Sequence, residues 1–188
     1  FEDETCTQKI PVYSKNMHKI DEILSDHPVD VIVDFSSEDG IDYYANEAAN
    51  RKIAIVSAIS NYSLDKIKLL MDLSKKTCVF YSPNITIGIN FLLLAAKVLK
   101  KIAPTADISI VEEHFSQKHD VSGTAKVIAN NLNIKHGEIK SIRAGGIVGT
   151  HEILFGFPYQ TVRLKHESIS REAFGNGIKF VLEKLPIK

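Results

Sequence analysis

The 188-residue chain has no net charge: 23 Lys and Arg stand against 23 Asp and Glu. No overall field therefore points to nucleic acid or a membrane surface as a partner. A long apolar run is missing as well. The longest, near Ile87 to Val98, is interrupted by Asn90 and Lys97 and followed by Lys100 and Lys101, too short for a bilayer span. No basic segment followed by an apolar one opens the sequence, so nothing reads as a secretory signal. Cysteine is scarce. Cys6 and Cys78 show no metal-ligand spacing and read as structural thiols of a reducing, cytoplasmic protein. Internal repeats and low-complexity tracts are also absent. What is present is an ordinary globular composition, 44% hydrophobic and 24% charged, sufficient for one or two domains with a substantial core.

Periodicity divides the chain into two styles. Met17 to Leu24 is helical in pattern, and Val29 to Phe35 is a short β-branched run that predicts a strand buried on both faces. Helix-start residues Ser36 to Asp39 precede helical spacing over Gly40 to Arg51. Ile53 to Val56 repeats the strand pattern, Leu64 to Lys75 the helical one, and Thr77 to Tyr81 makes a third strand. Such alternation predicts a doubly wound α/β unit whose ligands sit beyond the strand carboxyl ends, here Phe35-Ser36, Ser57-Ala58 and Ser82-Pro83-Asn84. A long helix over Ile89 to Lys101 leads away from this half. The later strands, Asp107 to Glu112, Glu138 to Ala144, Gly149 to Phe155 and Gln160 to Glu167, predict a largely antiparallel sheet. One face would be covered by helix and the other left for self-association. A last helix spans Glu172 to Leu185.

The stretch Glu112 to Ala125, EEHFSQKHDVSGTA, carries the most chemistry. A strand delivers His114 and Lys118, four apart, at the mouth of a loop. The loop ends in Ser122-Gly123-Thr124, which opens the helical run AKVIANNL. Free N–H groups at such a start suit a carboxylate, so a proton donor, an ammonium and an anion cradle would meet in one place. Spacing alone also permits a solvated face for His114 and Lys118 and a simple capping role for Ser122. For His119 the surface reading is preferred. His151, His166 and Glu152 lie on alternating strand residues with no third ligand at fitting spacing, which disfavours a metal site.

These residues resemble the signature of the dihydrodipicolinate reductases, E-x-H-H-x-x-K-x-D-A-P-S-G-T-A, with Glu112, His114, Lys118, Asp120, Ser122, Gly123, Thr124 and Ala125 matching. Arg143 to Glu152 is similar to R-x-G-x-I-V-G-x-H-E, and Ser170 to Gly177 resembles S-R-x-x-F-A-x-G. The resemblance implies a Rossmann-like parallel-sheet nucleotide domain over 1–88 and 168–188. It also implies an α+β substrate and tetramerisation domain, with a mixed, largely antiparallel sheet, over 89–167. It implies NADPH- or NADH-dependent reduction of 4-hydroxy-tetrahydrodipicolinate in lysine and diaminopimelate synthesis, by a homotetramer. His114 matches the acid/base histidine and Lys118 the lysine facing the substrate, with Phe115, Ser122, Gly123 and Thr124 beside it. Cofactor contacts carried over are Phe35, Ser36, Ser57, Ala58, Ile59, Ser82, Pro83, Asn84 and Ile85, with Arg171 and Phe174 closing over the nicotinamide. Arg171 could equally be a surface arginine at a helix start. Arg143 reads as a structural strand residue, and Gly145, Gly146 and Gly149 as backbone requirements.

The chain also departs from the pattern. Phe1 to Lys15 contains no glycine, so it cannot form the tight G-x-x-G-x-M-G turn that approaches a pyrophosphate, and Glu2, Asp3 and Glu4 would repel phosphate. The first βα unit is expected to lie upstream of these residues; the competing reading is a protein that has lost tight cofactor binding. The link between Leu132 and Ile142 is shorter than in relatives. Ser57 to Ser60 replaces G-T-T-G, Phe115 replaces the second histidine, and Val121 replaces A-P. These changes keep open two alternatives: a catalytically silent relative acting as a binding or assembly module, and a reductase of another cyclic imine.

Overall fold

The computed structural model describes residues 10–186. Most of the glycine-free opening, with Glu2, Asp3, Glu4 and Cys6, lies outside them. The β-branched runs of the first half form a parallel sheet of β1 (Val31–Asp34), β2 (Ala54–Ser57) and β3 (Val79–Tyr81), in that order. Val56 stands between Val33 and Phe80 in the register. Three helices accompany these strands: α1 (Ile20–Asp26), α2 (Gly40–Arg51) and α3 (Leu64–Leu73). Helix α2 buries Ile41, Ala45, Ala48 and Ala49 at helical spacing, and these belong to one core with Ile55, Leu70 and Leu73. It stops at Lys52, whose left-handed φ of 58° turns the chain directly into β2.

Two-sided burial of Val29 to Phe35 is not what the structure shows. The strand is four residues long, Val33 is 39% exposed and Phe35 49%. Among the described residues β1 pairs with β2 alone, whereas β2 lies between two strands and is buried throughout. A run of β-branched residues reports strand preference, not position within the sheet.

Helix α4 (Ile87–Ile102) crosses to the second half. There β4 (Asp107–His114), β5 (Lys140–Arg143), β6 (Gly149–Phe157) and β7 (Gln160–Ser168) form a sheet of order β5-β4-β6-β7. Strands β4, β6 and β7 are antiparallel neighbours, and β5 joins β4 in parallel after α5 (Gly123–Leu132). The expected strand from Glu138 is shorter because His136 to Glu138 forms a 3-10 turn. Helices α4 and α5 cover one face: Ile89, Leu92 and Ala96 meet Ile128, Leu132, Ile110, Ile153 and Phe155 in a second core. The basic last turn of α4 places Lys100 against the Leu132 carbonyl oxygen, which accepts its hydrogen bond.

The chain then returns. Helix α6 (Glu172–Leu182) packs Ile178 and Val181 with Val56 and Ile85 in a third core under the first sheet. A Cβ on Gly177 would lie 2.2 Å from the Ile85 carbonyl oxygen, so the helix approaches that loop as only glycine permits. Among the described residues no helix is long and apolar enough to cross a membrane.

Candidate active site

Strand alternation builds the site. In β4, Ile110, Glu112 and His114 point to the helix-covered side, and the register extends that face across the sheet. Glu112 stands between Ser141 of β5 and His151 of β6, and His151 pairs in turn with His166 of β7. His114 and Arg143 form the next pair outward. The apolar rows of the core thus give way at one end of the sheet to polar rows.

Glu112 is fully buried, and its carboxylate accepts from three partners. One oxygen takes the Ser141 hydroxyl at 2.5 Å and an Arg143 guanidinium N–H at 2.5 Å; the other is bonded to His114 Nδ1. Burial alone would raise its pKa. The Arg143 and Ser141 hydrogen bonds and the imidazole outweigh burial and hold the carboxyl below its usual range. His114 is itself lowered, by burial first and by Lys118 and Arg143 after it, with Glu112 pulling the other way. Its Nε2 lies beside Gly149, where a Cβ would come within 3.1 Å of that nitrogen. Glycine there leaves the ring its place.

Arg143 also grips the loop after β4. Its Nε donates to the Lys118 carbonyl oxygen at 2.8 Å and one Nη to the Asp120 carbonyl oxygen at 3.0 Å. The fork geometry of a guanidinium suits such a span. The half-buried Lys118 is therefore held by its own backbone relative to His114. Arg143 is a structural residue, as its strand position suggests, but one that structures the site.

At the far side of the loop, Ser122 caps α5 by accepting from the Ala125 N–H at 3.0 Å. Its hydroxyl also bonds His151 Nε2 at 2.7 Å, while His151 Nδ1 is buried without a partner among the described residues. Burial, with the His114 charge after it, pushes His151 down to about 3, so it is neutral. The N–H groups of Gly123 and Thr124 have no preceding turn to donate to. The Thr124 hydroxyl is committed elsewhere: it donates to Asn84 Oδ1 at 2.7 Å, joining α5 to the loop after β3.

These groups surround one cavity of about 300 Å³. His114, Lys118, Ser122, Gly123, Thr124, Gly149 and His151 form one wall, and Phe35, Ala58, Pro83, Asn84, Ile85 and Phe174 the other. Most of the expected residues are thus brought together. Others are not. Phe115 is 38% exposed and off the lining. Ser36 donates its hydroxyl to Asp34, Ser57 is fully buried with its hydroxyl on Tyr62 at 2.9 Å, and Ile59 belongs to the first core. Ser82 is off the cavity lining and lines an adjoining apolar groove with Phe80, Ile87 and Phe180, and Arg171 is exposed at the start of α6 off the lining. Among residues without an assigned role in the sequence, Glu112 could have been found. Its even register with Ile110 and His114 puts an acid on an inward face.

A neutral-leaning imidazole, one ammonium and free amides around a half-open hollow can bind a carboxylated molecule and exchange a proton with it. Among the described residues no cluster of His, Cys, Asp or Glu could hold a metal.

Comparison with known proteins agrees with this chemistry. The model of the dihydrodipicolinate reductase N-terminus matches residues 3–85, and that of the C-terminus residues 85–188. The 4-hydroxy-tetrahydrodipicolinate reductase of Caldanaerobacter subterraneus subsp. tengcongensis is 33% identical over 202 residues, covering 94% of this chain and 78% of its own. That of Thermosipho africanus is 37% identical over 169 residues, covering 87% and 77%. Among solved structures, the dipicolinate-bound dihydrodipicolinate reductase from Paenisporosarcina sp. TG-14 superposes with a TM-score of 0.72 at 22% identity, covering 88% of this chain and 72% of that one. That last likeness speaks for the fold. With the two family models together matching residues 3–188, the chain belongs to the dihydrodipicolinate reductase family.

Proposed function

We propose that the chain is a nicotinamide-dependent reductase of 4-hydroxy-tetrahydrodipicolinate, with residues 89–167 gripping the substrate and residues 1–88 and 168–188 the cofactor. The observation that carries the site assignment is the convergence of His114, Lys118 and the α5 N-terminus on one cavity wall, facing the carboxyl ends of the first sheet. Lys118 and the amides of Gly123 and Thr124 bind and orient the carboxylates. His114 passes a proton to the substrate as reduction leaves negative charge on it, a contribution of about 10²–10⁴-fold in rate for a placed acid.

The opposite wall fits a nicotinamide. Phe35 and Phe174 present partly exposed rings at 49% and 37%, Ala58 is small, and Pro83, Asn84 and Ile85 line the cavity beside them. These residues would hold it. When bound, NADH or NADPH supplies the hydride. Ser57, Ile59 and Ser82 would contribute through backbone shape only, given where their side chains lie.

A homotetramer joined through the uncovered face of the second sheet, working in the cytoplasm, completes the proposal. Lys118→Ala should lower kcat/KM for 4-hydroxy-tetrahydrodipicolinate by about 100-fold or more while the melting temperature stays near wild type. Steady-state kinetics decide, and near-normal turnover would refute the assignment of Lys118. Phe115, where the family carries a second histidine, motivates the rival of a silent binding module. Calorimetric titration with NADPH separates them: micromolar binding supports the reductase, and no binding supports the module.

A further inference from the structure

We propose that Glu112 is a positioning residue that fixes the Nδ1–H tautomer of His114, leaving Nε2, the nitrogen beside Gly149 at the cavity wall, to deliver and recover the proton. The inference rests on the reductase reading above. Glu112 is wholly buried yet placed on an inward strand position flanked by Ile110 and His114, where an apolar residue would otherwise pack. One of its oxygens is saturated by Arg143 and Ser141, which orients the carboxylate and leaves the other oxygen for the imidazole. A carboxylate can only accept, so the shared proton belongs to His114 Nδ1. The ionisable groups around the ring are few: Glu112 on its own strand, Lys118 from the following loop, Arg143 from β5 and His151 from β6, the last with ring centroids 5.3 Å apart. Two are cations and His151 is neutral, so among the described residues Glu112 is the one neighbour that favours an imidazolium. An acid that must be recharged each turnover needs that support.

Glu112→Gln exposes the role. Arg143 and Ser141 both donate, so they would hold the new amide by its oxygen and turn its NH2 toward Nδ1, forcing that nitrogen to accept and moving the neutral ring's proton to Nε2. The imidazolium then has no carboxylate. Turnover should fall about 100-fold with KM within about twofold, and the loss of kcat on raising pH should begin at lower pH than in wild type. Ser141→Ala removes one donor from the carboxylate, makes it more basic, and should move the same limb toward higher pH. A merely structural Glu112 predicts neither shift. Nitrogen NMR of the histidine side chains in wild-type protein gives a readout that needs no substitution at Glu112, with the His114 signal assigned by its loss in His114→Asn. A proton on Nδ1 of the neutral ring is expected. A proton on Nε2 there, or a Glu112→Gln enzyme with unchanged kcat and pH profile, would overturn the proposal. If Glu112→Gln does not fold, the wild-type tautomer decides alone. Wild-type protein without turnover would overturn the reductase reading instead, and the tautomer would still be read.

Discussion

At the residue scale the site is defined as much by a missing side chain as by those present. Gly149 leaves room for the His114 ring, which is fixed on its other side by Glu112. Gly149→Ala would press a methyl group against Nε2 at 3.1 Å, and the ring would have to move by tenths of an ångström. A placed catalytic group tolerates little displacement. We expect kcat to fall on the order of 10-fold with little change in melting temperature, read from parallel kinetics and thermal melts; an unaltered kcat would separate the imidazole from the chemistry. His114, Lys118 and Ser122 to Thr124 were legible because they lie within eleven residues of one another around a strand end and a helix start. Ser57 and Ile59 were not placeable by resemblance alone. Their side chains turn into the first core, a matter of packing that a motif in one dimension does not encode.

At the scale of elements, the second sheet stores its polar groups in two adjacent rows next to an apolar core, and this sets its response to acid. His151 is pushed by burial down to about 3, and burial also lowers His114 and His166. In the unfolded chain each titrates at about 6.5. The stabilising preference for the neutral rings is therefore complete above about pH 6.5. It is lost as pH falls toward the folded values, because the unfolded chain takes up protons the folded one refuses. Denaturant melts across that window should lose up to about 1.4 kcal/mol per pH unit through His151, with His114 and His166 acting in the same direction, and His151→Gln should flatten the curve. A stability independent of pH between 6.5 and 4 would contradict the burial of these rings. The strands themselves were readable from alternation in β4, β6 and β7. That β1 pairs with β2 alone among the described residues was not, since pairing partners are a tertiary property.

For the whole molecule, links that hold the two sheets and their cavity in relation among the described residues include the Thr124–Asn84 hydrogen bond, the start of α4 and the return of α6 beneath the first sheet. The uncovered face of the second sheet bears Leu154 opposite the Ile153 and Phe155 side. Light scattering should find a tetramer for the wild type and smaller species for Leu154→Arg; a wild-type monomer would refute the assembly proposed. The resemblance supplied that expectation, because a single chain shows no partner.

The close approach of Gly177 to the Ile85 carbonyl ties the last helix to the point where the two family halves meet. A chimera that exchanged residues 1–85 with those of a relative would therefore seat a foreign loop against the resident α6. Grafts that carry the matching terminal helix should express as folded hybrids more readily than grafts of the first half alone, so the natural unit of exchange in this chain is discontinuous.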